Sequence, residues 1–96
     1  MTTVVVTPTA VQDLRYLIAS HSLPLDTIER FKRSVALLER FPLIGATLEG
    51  RWSGDRFVLG PWRWMLILYI HDEPLDRVAV VTIQDARSSR AATGTR

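Results

Sequence analysis

The side chains in this sequence best suited to chemistry are arginines. Arg63 stands between two tryptophans in "GPWRWMLILYI", a stretch otherwise almost wholly apolar from Gly60 to Ile70. Arg51 and Arg56 flank "WSGD", and Arg87 and Arg90 follow the last apolar run. Arginine outnumbers lysine eleven to one. A guanidinium presents a rigid fork that suits phosphates, carboxylates and buried ion pairs. The same bias also arises from a G+C-rich genome, and a net charge of +2 is only a weak sign of a nucleic-acid partner. If Arg63 opens one strand and Arg87 closes its antiparallel neighbour, the two meet at one end of a sheet. There they could form an anion site, or each could pair with Glu49, Asp55 or Asp85 inside the fold.

Cleavage of RNA through its 2′-hydroxyl needs a base, positive charge on the phosphate and an acid for the leaving oxygen. Arg63 and Arg87 could supply the charge. Glu49 is the nearest candidate for proton transfer, and His71 the next. His71, in a hairpin turn, is expected at the opposite end from Arg63. His21 and His71 both read as exposed loop residues. The acid–base half of such a site is therefore thin.

Other chemistries find no support. The chain has no cysteine, which removes disulfides and thiolate metal sites. The two histidines make no zinc pattern. "GRWSGD" lacks the end of a nucleotide-binding loop, and no serine has the setting of an elbow nucleophile. "DEPLD" reads as a solvated turn without a calcium-loop pattern. No cofactor and no metal are expected. The 96 residues suffice for one domain, 1–96. No signal peptide is recognisable at the start, and the apolar run Trp64 to Ile70 is far short of the roughly 20 residues that span a bilayer. The expectation is a soluble, cytoplasmic protein with no membrane partner.

The elements that must position these arginines follow from periodicity. Val4 to Val6 reads as a strand. Thr7 can cap a helix with Pro8 in its first turn, and Val11, Leu14, Leu17 and Ile18 recur at helical spacing. That helix should stop near Ser20 to Ser22, ahead of Pro24. A second helix is expected from Asp26, with Asp26 and Glu29 as a capping box and Glu29–Arg33 as a surface pair. Ile28, Phe31, Val35 and Leu38 form its apolar stripe, and Pro42 ends it. "LIGATLEGRWSGD" reads as an irregular loop. Three strands then follow: Arg56 to Leu59, "WRWMLILYI" from Trp62, and "RVAVVTI" from Arg77, an antiparallel meander. Met65 to Ile70 is apolar at every position, so this strand should be covered on both faces. A helical hairpin covers one; a partner chain, or the sheet curling on itself, would cover the other. The tail is polar and basic, with Arg87, Arg90 and Arg96 against only Asp85, and 91–96 is expected to be disordered.

The order of these features resembles the RelE/ParE superfamily of bacterial type II toxin–antitoxin toxins. The resemblance rests on "VVVTPTAVQDL", on "RSVALLERFPLIGATLEG", on "GDRFVLGPWRWMLILYI" and on "VAVVTIQDAR", and covers about residues 3 to 90. It implies an α+β fold: an N-terminal strand, a two-helix hairpin and a small mixed sheet ending in the meander. It also implies a cognate antitoxin that wraps the toxin, a toxin–antitoxin hetero-oligomer, growth inhibition and plasmid stabilisation. Arg63 matches the sheet arginine of the family and Arg87 the arginine after the last strand. The RNA-cleaving, RelE-like branch adds a late basic, histidine or tyrosine residue, where this chain offers Gln84, Asp85 and Ala91-Ala92. The lysines which that branch places before the sheet are also missing, and Glu49, Arg51 and Arg56 occupy the region. The expectation is therefore a ParE-like toxin that binds DNA gyrase, with Arg51, Arg56, Arg63, Arg87 and Arg90 as candidate contacts. The alternatives are a ribosome-dependent messenger RNA endoribonuclease using Arg63, Arg87 and Glu49, and a non-toxic binding relative.

Overall fold

A computed structural model describes residues 1–93. The first strand, β1 (Thr3–Val6), leads directly into α1 (Pro8–Ser20). Thr7 caps that helix: its Oγ1 accepts from the Ala10 amide at 3.2 Å and donates to the Val80 carbonyl at 2.8 Å. With Pro8 in the first turn, the helix starts where a missing N–H costs nothing. The second helix, α2 (Thr27–Ala36), runs on into a 3-10 turn over Leu37–Glu39. Asp26 holds the N-cap position but makes no capping bond; its carboxylate pairs with Arg30 instead, 3.0 Å from Nε. The expected capping box therefore does not form, and Glu29 lies 3.9 Å from Lys32 rather than beside Arg33.

The sheet has five strands. β2 (Ala46–Thr47) is a two-residue strand within the stretch read as an irregular loop, and β3 (Arg56–Leu59), β4 (Met65–Asp72) and β5 (Arg77–Asp85) form the meander. The spatial order is β1-β5-β4-β3-β2, with β1 parallel to β5 and every other pair antiparallel. The chain crosses from β1 over the helical hairpin to the far edge of the sheet and returns along the meander, which brings β5 in parallel beside β1. The meander strands differ from expectation at their ends. β4 begins at Met65, because residues 61–64 fold as a turn, and it extends through His71 to Asp72. His71 is accordingly a strand residue and not a turn residue.

β4 lies at the centre and is covered on both faces. Met65, Ile67 and Tyr69 pack with Val78, Val80 and Ile83 against Leu14, Leu17, Phe31, Val35 and Leu38 of the helical layer. Leu66 and Leu68 face the other way, onto Leu48 and Ala91, flanked by Trp52, Phe57, Val81 and Ala92. The second cover thus comes from the chain itself: the segment before β3 and the residues after β5. The tail, expected to lie loose from residue 91, is packed at Ala91 (8% exposed) and tied at Ala92, whose amide donates to Gln84 Oε1 at 2.8 Å. The remainder of that expectation, at 94–96, lies outside the described residues. A register shift between Leu68 and Tyr69 leaves Val81 without a partner on β4. That irregularity lets Val80 and Ile83 share the helix-facing side despite their odd spacing.

Candidate functional site

The end of the sheet holds the first group of site residues. The Gly60 amide donates to the Met65 carbonyl at 2.8 Å, and the Met65 amide to the Trp62 carbonyl at 3.0 Å. This closes a tight turn with Arg63 in it. Ala86 donates to the Trp64 carbonyl at 2.6 Å, so Trp64 is the last residue tied across to the β5 side. Arg63 and Arg87 therefore leave the same end of the sheet, as the meander implies. Their situations differ. Arg63 is exposed and, among the described residues, has neither an ion pair nor a side-chain hydrogen bond. Arg87 grips Asp85 as a fork: Nε donates to Oδ1 and Nη2 to Oδ2, each at 2.9 Å. The same guanidinium lies 4.6 Å from the centre of the Trp64 ring.

A third residue joins this array. His21, the C-cap of α1, places Nε2 3.1 Å from Asp85 Oδ2 and stacks on Trp64 with ring centres 4.7 Å apart and planes 15° from parallel. Trp64 in turn neighbours Trp62 at 6.2 Å, and Arg30 from α2 sits 5.7 Å over Trp62. Cations and rings attract in this arrangement because the ring face is electron-rich. The Arg87 hydrogen bonds, with help from His21, hold the Asp85 carboxyl down at about 2, against the burial that opposes ionisation. His21 is an exposed turn residue, as expected from its place between the helices, but the sequence does not show its reach to Asp85. The one cue to a role was its place at a helix C-terminus, where a cation suits the negative end of the helix dipole.

The second group lines an open groove of about 880 Å³ on the face opposite the helices. Glu49, Arg51, Trp52, Gln84 and Arg90 border it. Arg51 lies 5.2 Å over the Trp52 ring, and Glu49 is exposed. Neither Arg63 nor Arg87 borders this groove, so Glu49 does not share a cavity with the two arginines expected to work with it. Among the described residues no histidine, lysine or tyrosine lines it either. Arg56 serves the fold: its Nη1 donates to the carbonyls of Leu43 (3.1 Å) and Gly45 (2.9 Å). His71 lies at the far end of the meander, its Nε2 3.5 Å from Asp76 Oδ1 but without hydrogen-bond geometry. Among the described residues no three His, Asp or Glu side chains gather where they could hold a metal ion, and no helix is long and apolar enough to cross a membrane.

A third feature is an apolar cleft of about 300 Å³ in the helical layer. Val6, Val11, Leu14, Ile28, Phe31 and Val35 line it, and Arg15 and Lys32 also border it. It adjoins β1, whose outer edge carries no strand among the described residues.

No family model matches the chain, and no curated protein matches it. Solved structures do. A chain in the crystal structure of the toxin–antitoxin complex RelBE2 from Mycobacterium tuberculosis is 26% identical, with a TM-score of 0.63 over 88% of this chain and 96% of that one. The conserved hypothetical proteins HP0892 and HP0894 of Helicobacter pylori share the fold at 14% and 15% identity, each with a TM-score of 0.57 over 88% of this chain and 94% of theirs. The helical hairpin, the mixed sheet with its parallel outer strand, and this likeness over nearly the full length give the chain the fold that the RelE/ParE resemblance implies.

Proposed function

We propose that this chain is the toxin of a type II toxin–antitoxin pair, neutralised by a cognate antitoxin in a hetero-oligomer. The observation that carries this is the 26% likeness, across nearly the whole of both chains, to a chain of a toxin–antitoxin complex. Two surfaces suit an antitoxin segment. The outer edge of β1 can accept an added strand, and the adjoining cleft can take apolar side chains with acidic neighbours set against Arg15 and Lys32. On this reading the protein works in the cytoplasm.

The mode of action we favour is binding, as in the ParE-like branch, with DNA gyrase as target. What supports it is the make-up of the two arginine groups. Asp85 pairs with Arg87, Arg63 makes no ion pair or side-chain hydrogen bond among the described residues, and no histidine, lysine or tyrosine among them lines the groove that holds Glu49. A second reading has its own support. Glu49, Arg51, Trp52 and Arg90 border one groove, which could hold a nucleotide's base on the ring and its phosphate on the guanidinium groups. On that reading the chain is a ribosome-dependent endoribonuclease, and Glu49 takes the 2′-hydroxyl proton.

Controlled induction of the chain alone in bacteria tests both, with DNA breaks at gyrase and cleavage of ribosome-bound messenger read in the same cells. Arrest with gyrase-dependent breaks, relieved by Arg63→Ala, is the expected result. Arrest with cut messenger, relieved by Glu49→Gln, would replace it with the nuclease reading. Normal growth at high soluble expression would remove the toxin reading and leave a non-toxic binding relative.

A further inference from the structure

We propose that His21 is a positioning residue for Arg87: from the end of α1 it fixes the carboxylate and the ring on which that guanidinium rests, so that Arg87 offers a pre-oriented edge to an oxyanion. The proposal rests on the reading above, in which the arginine-bearing sheet end engages the target.

Arg87 would otherwise be poorly placed to bind anything. Its side chain is 58% exposed, and an arginine that is free to rotate pays heavily in entropy when a ligand orders it. Asp85 restrains it, but the two are only two positions apart, so the pair could swing together. His21 supplies a tie from a distant element, 64 residues away in sequence, to the same carboxylate. It also backs Trp64, the ring over which the guanidinium lies. The amide of Arg87 adds a further bond to Asp85 Oδ1 at 2.9 Å. Of the five N–H groups of the guanidinium, Asp85 takes one on Nε and one on Nη2, which leaves both on Nη1 and one on Nη2 for a ligand.

The ring nitrogens show why His21 positions and does not catalyse. A carboxylate only accepts, so Nε2 carries the proton that points at Asp85. Nδ1 faces the Leu17 carbonyl at 3.2 Å and the Ser20 hydroxyl at 3.0 Å. In the neutral ring Ser20 donates to Nδ1. In the charged ring Nδ1–H donates to Leu17. The bond to Asp85 persists in both, and neither nitrogen is left to exchange a proton with a substrate. The charged and polar groups that face the ring are Asp85 and Arg87 from the β5 end, the Trp64 face, and Ser20 with the Leu17 carbonyl on its own helix.

The test uses the full chain, 15N-labelled. The Nε–H signal of Arg87 is identified by its loss in Arg87→Lys, and inorganic phosphate is the anion probe. His21→Phe keeps a ring on Trp64 and removes the donor; His21→Gln keeps a donor near Nε2. The expected result is slow solvent exchange of the Arg87 Nε–H in the wild type. His21→Phe should speed that exchange and weaken phosphate binding by about tenfold, the scale of losing a hydrogen bond to a charged group, and His21→Gln should restore much of both. Wild-type behaviour in His21→Phe would overturn the proposal. So would a wild type whose Arg87 Nε–H exchanges as fast as that of an unrestrained arginine, or one that does not bind phosphate. Growth arrest is read separately. A rigid, phosphate-binding Arg87 in a harmless chain keeps this inference and removes the toxin reading; a toxic chain with a mobile Arg87 does the reverse.

Discussion

At the scale of single residues, position in the fold separates arginines that look alike in sequence. Arg56 is bonded to the carbonyls of Leu43 and Gly45, Arg87 to Asp85, and Arg63 to nothing among the described residues. Gly45 explains why Arg56 is so placed. A Cβ there would lie 2.6 Å from the Phe57 carbonyl oxygen and 2.7 Å from the Tyr69 hydroxyl, so only glycine lets this loop close on the sheet. The Gly45 amide donates to the fully buried Tyr69 hydroxyl at 2.9 Å, and burial keeps that phenol neutral by raising its pKa. Tyr69→Phe leaves the buried amide unpaired and should cost about 1–3 kcal/mol in denaturant unfolding. Asp85 gives a pH signature. Its folded pKa, about 2, lies below the unfolded value near 3.9, so its contribution is complete above pH ~4 and is lost as pH falls towards 2. Asp76, held low mainly by the Thr2 hydroxyl, adds to the same slope. Asp85→Asn should flatten acid unfolding in that window, measured by circular dichroism against pH.

At the scale of elements, the hairpin is joined to the sheet by a few polar ties along α1. Thr7 bonds to Val80, Asp13 accepts from the Thr82 hydroxyl and the Ile83 amide, and His21 reaches Asp85. The helix thus runs beside β5, and successive turns meet successive parts of the strand. Thr7→Ala removes both a cap and a cross-element bond. It should lower stability by about 1–2 kcal/mol with the helix content of the folded state unchanged. The same geometry accounts for the difference at the start of β4. Trp62 and Trp64 read as strand residues by hydrophobicity, yet they belong to a turn because their rings pack on each other, on Arg30 and on His21.

At the scale of the whole molecule, the chain closes its own second face. Leu66 and Leu68 are at most 2% exposed, yet what comes over them is small: Leu48, the side of Trp52, and the two alanines of the tail. The tail is held by the Ala92–Gln84 bond and by Ala91, whose own amide donates to Ser88 at 3.1 Å. Removing residues 88–96 should uncover the two leucines. We expect a loss of about 1–3 kcal/mol from apolar area returned to water, together with increased binding of a hydrophobic dye by the folded protein. A truncated chain as stable and dye-silent as the parent would show that the tail contributes nothing to this face.

The alternation of apolar residues, the Thr7-Pro8 start, Pro24 and Pro42 determined by themselves the two helices, the meander and the apolar run that opens β4. These are local signals, carried by period, caps and breakers, and they are readable without knowing what packs on what. The convergence of Arg63 and Arg87 on one sheet end was also legible, because antiparallel neighbours must meet there. Tertiary structure alone decided the rest. It paired β1 with β5, brought Ala91 onto Leu66 and Leu68, and placed Glu49 in a groove apart from Arg63 and Arg87. It carried His21 to Asp85 across 64 residues. Each of these is a contact between segments far apart in the chain, where no spacing rule applies and only the shape of the packed core chooses the partner.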